Sequence, residues 1–298
     1  MRIVKPNFEI WEQSAGLEGV YKQIERVGRV CYKSEDKITE DSAKPFVDRM
    51  IKSGHGAMLE HGTVYLKITY KDTNFTTLCM FYGKNKYSVL NHSEDNKIYY
   101  ITTNYRVLVE NNHLSDLKYL CEPSEFHEKR ITVHFVCDRG VSHEFVRHRV
   151  MSFAQESTRY CNYSKDKFGN ELTFIKPCWL DIPTGQYVYW DGDWCDINKM
   201  KIQLPEGEHK GIDAFLWTLN NAETHYTLLI NSGWKPQEAR AILPNSLKTE
   251  LVVTGFTSDW NHFFDLRARG TTGAPHPQAK ELAEPLMKEF IARKYINN

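Results

Sequence analysis

No stretch of this chain approaches the roughly 20 consecutive apolar residues that a membrane-spanning helix needs, so no membrane partner is expected. Net charge is absent as well: 38 Lys and Arg balance 38 Asp and Glu. Bulk electrostatics therefore cannot hold nucleic acid, and any bound anion must be gripped by a local cluster of positive charge. The seven cysteines (31, 79, 121, 137, 161, 178 and 195) are scattered, odd in number and contain no CxxC. That excludes a disulfide framework or a zinc knuckle and fits a reducing compartment. The first residues lack the charged, apolar and small-residue order of a signal peptide. Repeats, low-complexity runs and clean linkers are missing too. The expectation is a soluble cytoplasmic protein with no nucleic-acid partner.

What is present suits a sizeable core: 298 residues, 41% hydrophobic and 13% aromatic. Leu17, Val20, Tyr21, Ile24 and Val27 recur at helical spacing, and a second helix is expected from near Asp41 to Gly54. TVYLKITY (63–70) alternates as a half-buried strand, and strand-like pieces run up to Val109. ITVHFVC (131–137) reads as a strand closed by a turn at Asp138-Arg139-Gly140, with a helix starting at Ser142. Residues 162–209 carry Pro177, Pro183, Gly185, Gly192 and Pro205 and read as a long excursion. A long helix is expected over 211–233, a short one over 237–243, a strand over 249–256, and helices over 259–267 and 278–293. Strands and helices mix without strict alternation, which points to an α+β fold.

Chemistry concentrates in HEFVRHRVMSFAQESTRY (143–160). A zincin-like metal site needs its histidines four apart, whereas His143 and His148 are five apart, roughly 140° around a helix. Ser157 lies outside the GxSxG elbow of hydrolases. Cys161 sits two residues past Arg159, but a lone cysteine beside an arginine is usually a small apolar residue. An anion clamp fits better, because Arg147, Arg149, Ser157, Thr158 and Arg159 offer the donors that phosphate oxygens take. Composition leaves that clamp and a solvated face paired with Glu144 and Glu156 equally open.

RHRVMSFAQES fits the pattern RHR-x7-S, through which the chain resembles the flavin-dependent thymidylate synthases. The surrounding DRGVSHEFVRHRVMSFAQESTRY is similar throughout. So, in the same order, are VGRVCYKS (27–34), GHGAMLEHGTVYLKI (54–68), ARAILPNSLKTELVVTG (239–255) and WNHFFDLR (260–267). The resemblance implies a mixed or antiparallel sheet core flanked by helices, in a single domain over 1–298 with insertions at 71–130 and 162–209. It implies conversion of dUMP to dTMP, with methylenetetrahydrofolate as carbon donor, NADPH as reductant and FAD between them. A homotetramer with sites at subunit contacts is implied, with no metal and no cysteine nucleophile.

Carried over residue by residue, the resemblance implies that Arg147, His148 and Arg149 lie along the flavin. His61, Thr63, Gln155 and His262 are implied as further flavin contacts. For dUMP it implies Glu144, Phe145, Val146 and Arg147, then the segment Gln155, Glu156, Ser157, Thr158 and Arg159, and finally Arg240. Ser157, Thr158 and Arg159 are implied at the phosphate, and Glu144 stands where many members carry glutamine. Arg267 is implied as the catalytic group, facing the uracil ring and favouring its ionised form. Two departures stand out: Phe256 replaces an asparagine near the flavin, and ARGTTGAPHPQA (268–279) replaces the usual acidic-serine-histidine run.

Overall fold

The computed structural model describes residues 1–93, 95, 97–204 and 209–297. Pro205, one of the breakers noted above, lies outside the described residues. The chain begins with strands β1 (Arg2–Val4) and β2 (Asn7–Trp11) and helix α1 (Gly16–Tyr32). Val20, Ile24, Val27 and Val30 form the buried stripe of α1, as their spacing demands. Lys33 at φ 47° ends it, its N–H returning to the Val30 carbonyl. Helix α2 (Ala43–Lys52) starts after Ser42 and not at Asp41, because Ser42 is tied to Thr39 and to the Glu25 carboxylate.

Helix α3 (Gly56–Leu59) leads into strand β3 (Thr63–Thr69). Residues 71–130 then supply α4 (Phe75–Leu78), β4 (Val89–Ser93), β5 (Ile98–Asn104) and α5 (Tyr105–Glu110). Strands β4 and β5 extend β3 into an antiparallel sheet ordered β3–β5–β4. The strand-like reading up to Val109 fails at Tyr105. There the Asn104 side chain accepts the Val107 N–H at 3.1 Å and caps a helix.

Strand β6 (Arg130–Asp138) passes directly into α6 (Arg139–Phe145). Asp138-Arg139-Gly140 is thus no turn: the Asp138 carboxylate accepts the Val141 N–H at 2.7 Å, and the helix begins three residues before Ser142. Strand β7 (Ser152–Gln155) follows. Residues 162–209 hold β8 (Thr173–Ile175), β9 (Gly185–Gln186), β10 (Val188–Trp190) and β11 (Asp193–Cys195). The remaining elements are α7 (His209–Asn231), α8 (Pro236–Ala239), β12 (Lys248–Phe256), α9 (Thr257–Phe264) and α10 (Pro277–Ala292).

The central sheet is antiparallel, ordered β2–β6–β12–β7. Val133, Phe135, Leu251 and Val253 point to one face, where Phe145, Trp260, Phe263 and Phe290 of α6, α9 and α10 cover them. The alternate residues face the other way: Val252 packs with Trp11 and α1, and His134 stacks on Trp11 at 4.7 Å. A separate apolar cluster joins β1, residues 162–209 and α7 through Ile3, Phe174, Tyr187, Trp194 and Leu216. The architecture is α+β, antiparallel sheets flanked by helices, as expected. Among the described residues no helix is long and apolar enough to cross a membrane.

Trp260 anchors this core: it is fully buried, lies 5.2 Å from both the Phe263 and Phe290 rings, and donates to the Ile131 carbonyl at 3.1 Å. Trp260→Ala is expected to cost about 3–5 kcal/mol in urea denaturation. Met80→Ala, at an exposed position, should change stability by no more than about 0.5 kcal/mol.

Candidate active site

Helix α9 continues into one wide turn, Asp265–Arg269, a geometry often found at functional sites. Arg267 sits in it with a largely buried side chain. Its Nε donates to His148 Nε2 at 3.0 Å, one terminal nitrogen pairs with the Glu144 carboxylate, and the other donates to the Glu144 carbonyl at 3.0 Å. Because His148 Nε2 accepts, its proton resides on Nδ1. That Nδ1 is buried and has no partner among the described residues. Burial, then the charges of Arg267 and His262, push the His148 pKa down to about 4, so its ring is neutral near pH 7. The His262 ring lies 6.0 Å away.

Neither glutamate carboxylate of the expected paired surface is bonded to Arg147 or Arg149. Glu144 is committed to Arg267. Glu156 is buried, bonded to Lys248 Nζ at 2.9 Å and to the Tyr163 hydroxyl at 2.9 Å. Arg147 and Arg149 are therefore exposed guanidiniums with no ion-pair partner among the described residues. The Phe145 side chain is wholly in the core, so only its backbone could meet a ligand, and the half-buried Val146 packs against that core.

A second group forms where β7 ends. Gln155 donates to Ser142 Oγ at 2.8 Å and to Thr249 Oγ1 at 3.2 Å, which ties this segment to α6 and β12. The Ser157 N–H bonds the Cys31 carbonyl at 3.0 Å, and Arg240 donates to Thr158 Oγ1 at 3.3 Å. Arg159 is exposed and reaches Gln237 Oε1 at 3.3 Å. Ser157, Thr158, Arg159 and Arg240 thus come together, while no hydrogen bond or ion pair among the described residues joins Arg240 to Arg267 or Arg147. Cys161 is buried, and that burial pushes its thiol up to about 12, so it carries no ready thiolate.

His61 and Thr63 stand in a third place, at the entry to β3. His61 is fully buried: its Nδ1 lies 2.8 Å from Thr254 Oγ1, which in turn lies 2.8 Å from Thr132 Oγ1. His61 Nε2 has no partner among the described residues. Burial, then the Arg130 charge, holds its pKa at about 3. Phe256 is buried with the Arg130 guanidinium 5.5 Å from its ring. In 268–279, Gly270 at φ 71° lets the chain fold back so that the Thr271 N–H reaches the Asp265 carbonyl at 3.0 Å.

Several charged residues of consequence escaped the sequence reading. Glu250 bonds Lys248 at 2.5 Å, Lys33 at 3.0 Å and His134 at 3.0 Å. Burial alone would raise its pKa, but the His134 bond and the two lysines outweigh burial and hold it well below the usual carboxylate range. This network supports the segment that follows β7, whose Glu156 N–H donates to the Glu250 carbonyl at 2.8 Å. Alternating charged and apolar residues in LKTELVV hinted at one polar face and gave no sign of who pairs with whom.

A family model described as thymidylate synthase complementing protein matches residues 73–293. Among curated relatives, the flavin-dependent thymidylate synthase of Pyrococcus furiosus is 30% identical over 160 residues, covering 54% of this chain and 53% of its own. The chain thus spans about half the length of that relative. The flavin-dependent thymidylate synthase of Corynebacterium aurimucosum is 23% identical over 281 residues, 93% of this chain and 78% of its own. Among solved structures, a UMP/dUMP methylase PolB from Streptomyces cacaoi bound with 5-Br UMP aligns over 98% of this chain and 92% of its own, at 15% identity and TM-score 0.45.

The two neutral histidines make stability pH-dependent. In the unfolded chain both titrate near 6.5, while in the fold they titrate at about 4 and about 3. Between these values the unfolded chain binds more protons, so their contribution is complete above about pH 6.5 and is lost as pH falls toward the folded values. Urea midpoints are expected to decline from pH 7 to about pH 4.5, and less steeply in His148→Asn. A flat wild-type profile would contradict this.

Proposed function

This chain belongs to the thymidylate synthase complementing protein family, and on that premise we propose that it is a flavin-dependent methyltransferase converting dUMP to dTMP. Methylenetetrahydrofolate is its carbon donor and NADPH its reductant, with FAD as the bound cofactor. The observation that carries the reading is the bonding of Arg267 to Glu144 and to a neutral His148. These partners leave two of its five N–H donors uncommitted.

Arg267 is the catalytic residue in this proposal. Uracil carbon 5 is a feeble nucleophile, and it strengthens when nitrogen 3 loses its proton and charge spreads into the ring. A guanidinium remains charged at any working pH and stabilises that anion, most effectively where water is excluded. Glu144 and His148 orient it. Ser157, Thr158, Arg159 and Arg240 hold the nucleotide phosphate by charge-assisted bonds, with Arg147, Gln155 and the backbone of Phe145, Val146 and Glu156 completing the dUMP contacts.

Two observations support a fit to the flavin. The buried nitrogens His61 Nε2 and His148 Nδ1 lack partners among the described residues, and a polar heterocycle would satisfy them. Thr63, Arg147, Arg149, Gln155 and His262 are the other proposed flavin contacts. The flavin, when bound, supplies the hydride, and the protein supplies orientation and electrostatics. Exposed Arg147 and Arg149 support a site completed by a second copy of the chain, in a homotetramer of single-domain protomers enlarged at 71–130 and 162–209.

Purified protein given FAD, NADPH, methylenetetrahydrofolate and dUMP should form dTMP. Methylation of dCMP or UMP with none of dUMP would reject the substrate assignment. Arg267→Ala is expected to lower dTMP formation by about 10²-fold or more while the protein stays folded and yellow; full activity would end the catalytic assignment. Arg159→Ala should raise KM for dUMP well beyond its effect on folate, whereas equal losses would tell against a phosphate role.

A further inference from the structure

Among the described residues, most buried cations and carboxylates are matched by an opposite charge, and the buried Asp138 carboxylate is held by the Val141 N–H and the Gln278 amide. Arg29 pairs with Glu25 at 2.7 Å, and Glu156 pairs with Lys248 at 2.9 Å. Arg130, the first residue of β6, is 8% exposed and has no carboxylate in ion-pair reach among the described residues. Its guanidinium meets only neutral acceptors: the Glu60 carbonyl at 3.0 Å, Thr63 Oγ1 at 3.4 Å and Ser152 Oγ at 3.3 Å. Its Nε is buried without a partner. Glu60, the nearest candidate, is committed to Arg106 at 2.6 Å. Burial lowers the Arg130 pKa to about 10, which leaves it charged at neutral pH. An isolated buried guanidinium is costly unless something neutralises it.

Arg130 also lines a cavity of about 270 Å³ between β2, β3 and β6. Tyr65, Thr63, Thr132 and Lys129 line it too. The Tyr65 hydroxyl accepts the Arg130 N–H at 3.2 Å, so its own proton is free to donate. Lys129 is exposed, with its Nζ 5.7 Å from the Tyr295 ring, another part of the wall. Two acids share the lining: Glu12, paired with Arg293 at 3.0 Å, and Glu122. The volume exceeds a single water's share of about 30 Å³ several times over.

We infer that this cavity is an anion-binding site in which Arg130 takes a phosphoryl or carboxylate group. The cavity shares Thr63 with the proposed flavin contacts, but the binding of an anion at Arg130 does not require the reaction proposed above. Its charge and forked donors suit a small anionic head, and binding there would neutralise a buried cation that has no ion-pair partner among the described residues.

The test uses the full-length chain carrying Arg159→Ala, so that the nucleotide-phosphate segment does not compete, titrated with inorganic phosphate in phosphate-free buffer. Calorimetry should show one saturable site, with Tm rising by about 2–4 °C at saturation. Adding Arg130→Met should abolish both, and Arg130→Lys should weaken them. Lys129→Glu, at an exposed position, should weaken phosphate about tenfold or more. No saturable uptake, or uptake indifferent to Arg130→Met and Lys129→Glu, would overturn the inference. Displacement of the phosphate by FAD and not by riboflavin supports the site and identifies the anion as a dinucleotide phosphate. Displacement by neither supports it with a free anion as ligand. Equal displacement by riboflavin, which has no phosphate, would count against an anion site.

Discussion

Nine consecutive residue pairs between β6 and β12, from Asp138 opposite Lys248 to Arg130 opposite Phe256, set the position of everything that follows. Helix α6 leaves the sheet at the Asp138 end and α9 leaves it at the Phe256 end. Both run back over the same apolar face, where the Phe145 and Phe263 rings meet at 4.9 Å. Just beyond that contact Glu144, His148 and Arg267 come together. Side chains alternate faces along a strand, so a slip of one residue would turn Leu251 and Val253 away from the helices and part these three groups. The aromatic core is therefore also the ruler for the site.

Electrostatics divides the molecule into satisfied and unsatisfied regions. The Lys33–Glu250–Lys248–Glu156 chain is closed, with His134 and Tyr163 taking the remaining valences. Such a network contributes modestly to stability, since desolvation offsets much of the attraction. Its larger consequence is to hold the loop bearing Ser157, Thr158 and Arg159 at one angle. By contrast, among the described residues Arg147, Arg149 and Arg130 have no ion-pair partner, and His61 Nε2 and His148 Nδ1 have no hydrogen-bond partner. Polar groups that a fold keeps unsatisfied are uncommon, and each calls for a physical reason such as strain, bound water or a ligand.

Much of this was legible in the chain. The stripe of α1, the alternation in β3, β6 and β12 and the long helix after 209 follow from local period and residue type, while the RHR-x7-S spacing speaks only through the family resemblance. Misreadings cluster where a side chain bonds its own backbone. Asp138 converts an apparent turn into a helix start, and Asn104 converts a strand's continuation into α5. Strand β7 was unseen because its four residues are too few to display a period. The RHR segment could equally be read as a surface strip, since composition cannot tell which arginine owns which glutamate.

By itself the sequence determined the chemical repertoire: guanidiniums without surplus charge, cysteines without pairing, hydroxyls grouped after a basic triplet, and apolar periods that form an α+β fold. Only the tertiary structure decided ownership. Glu144 went to Arg267, 123 residues away, and Glu156 to Lys248, 92 residues away. Arg130, an ordinary strand-initial charge on paper, became a buried cation beside a cavity. The reason is physical: period and propensity act over a few residues, whereas pairing and desolvation depend on which distant segments a sheet register brings into contact.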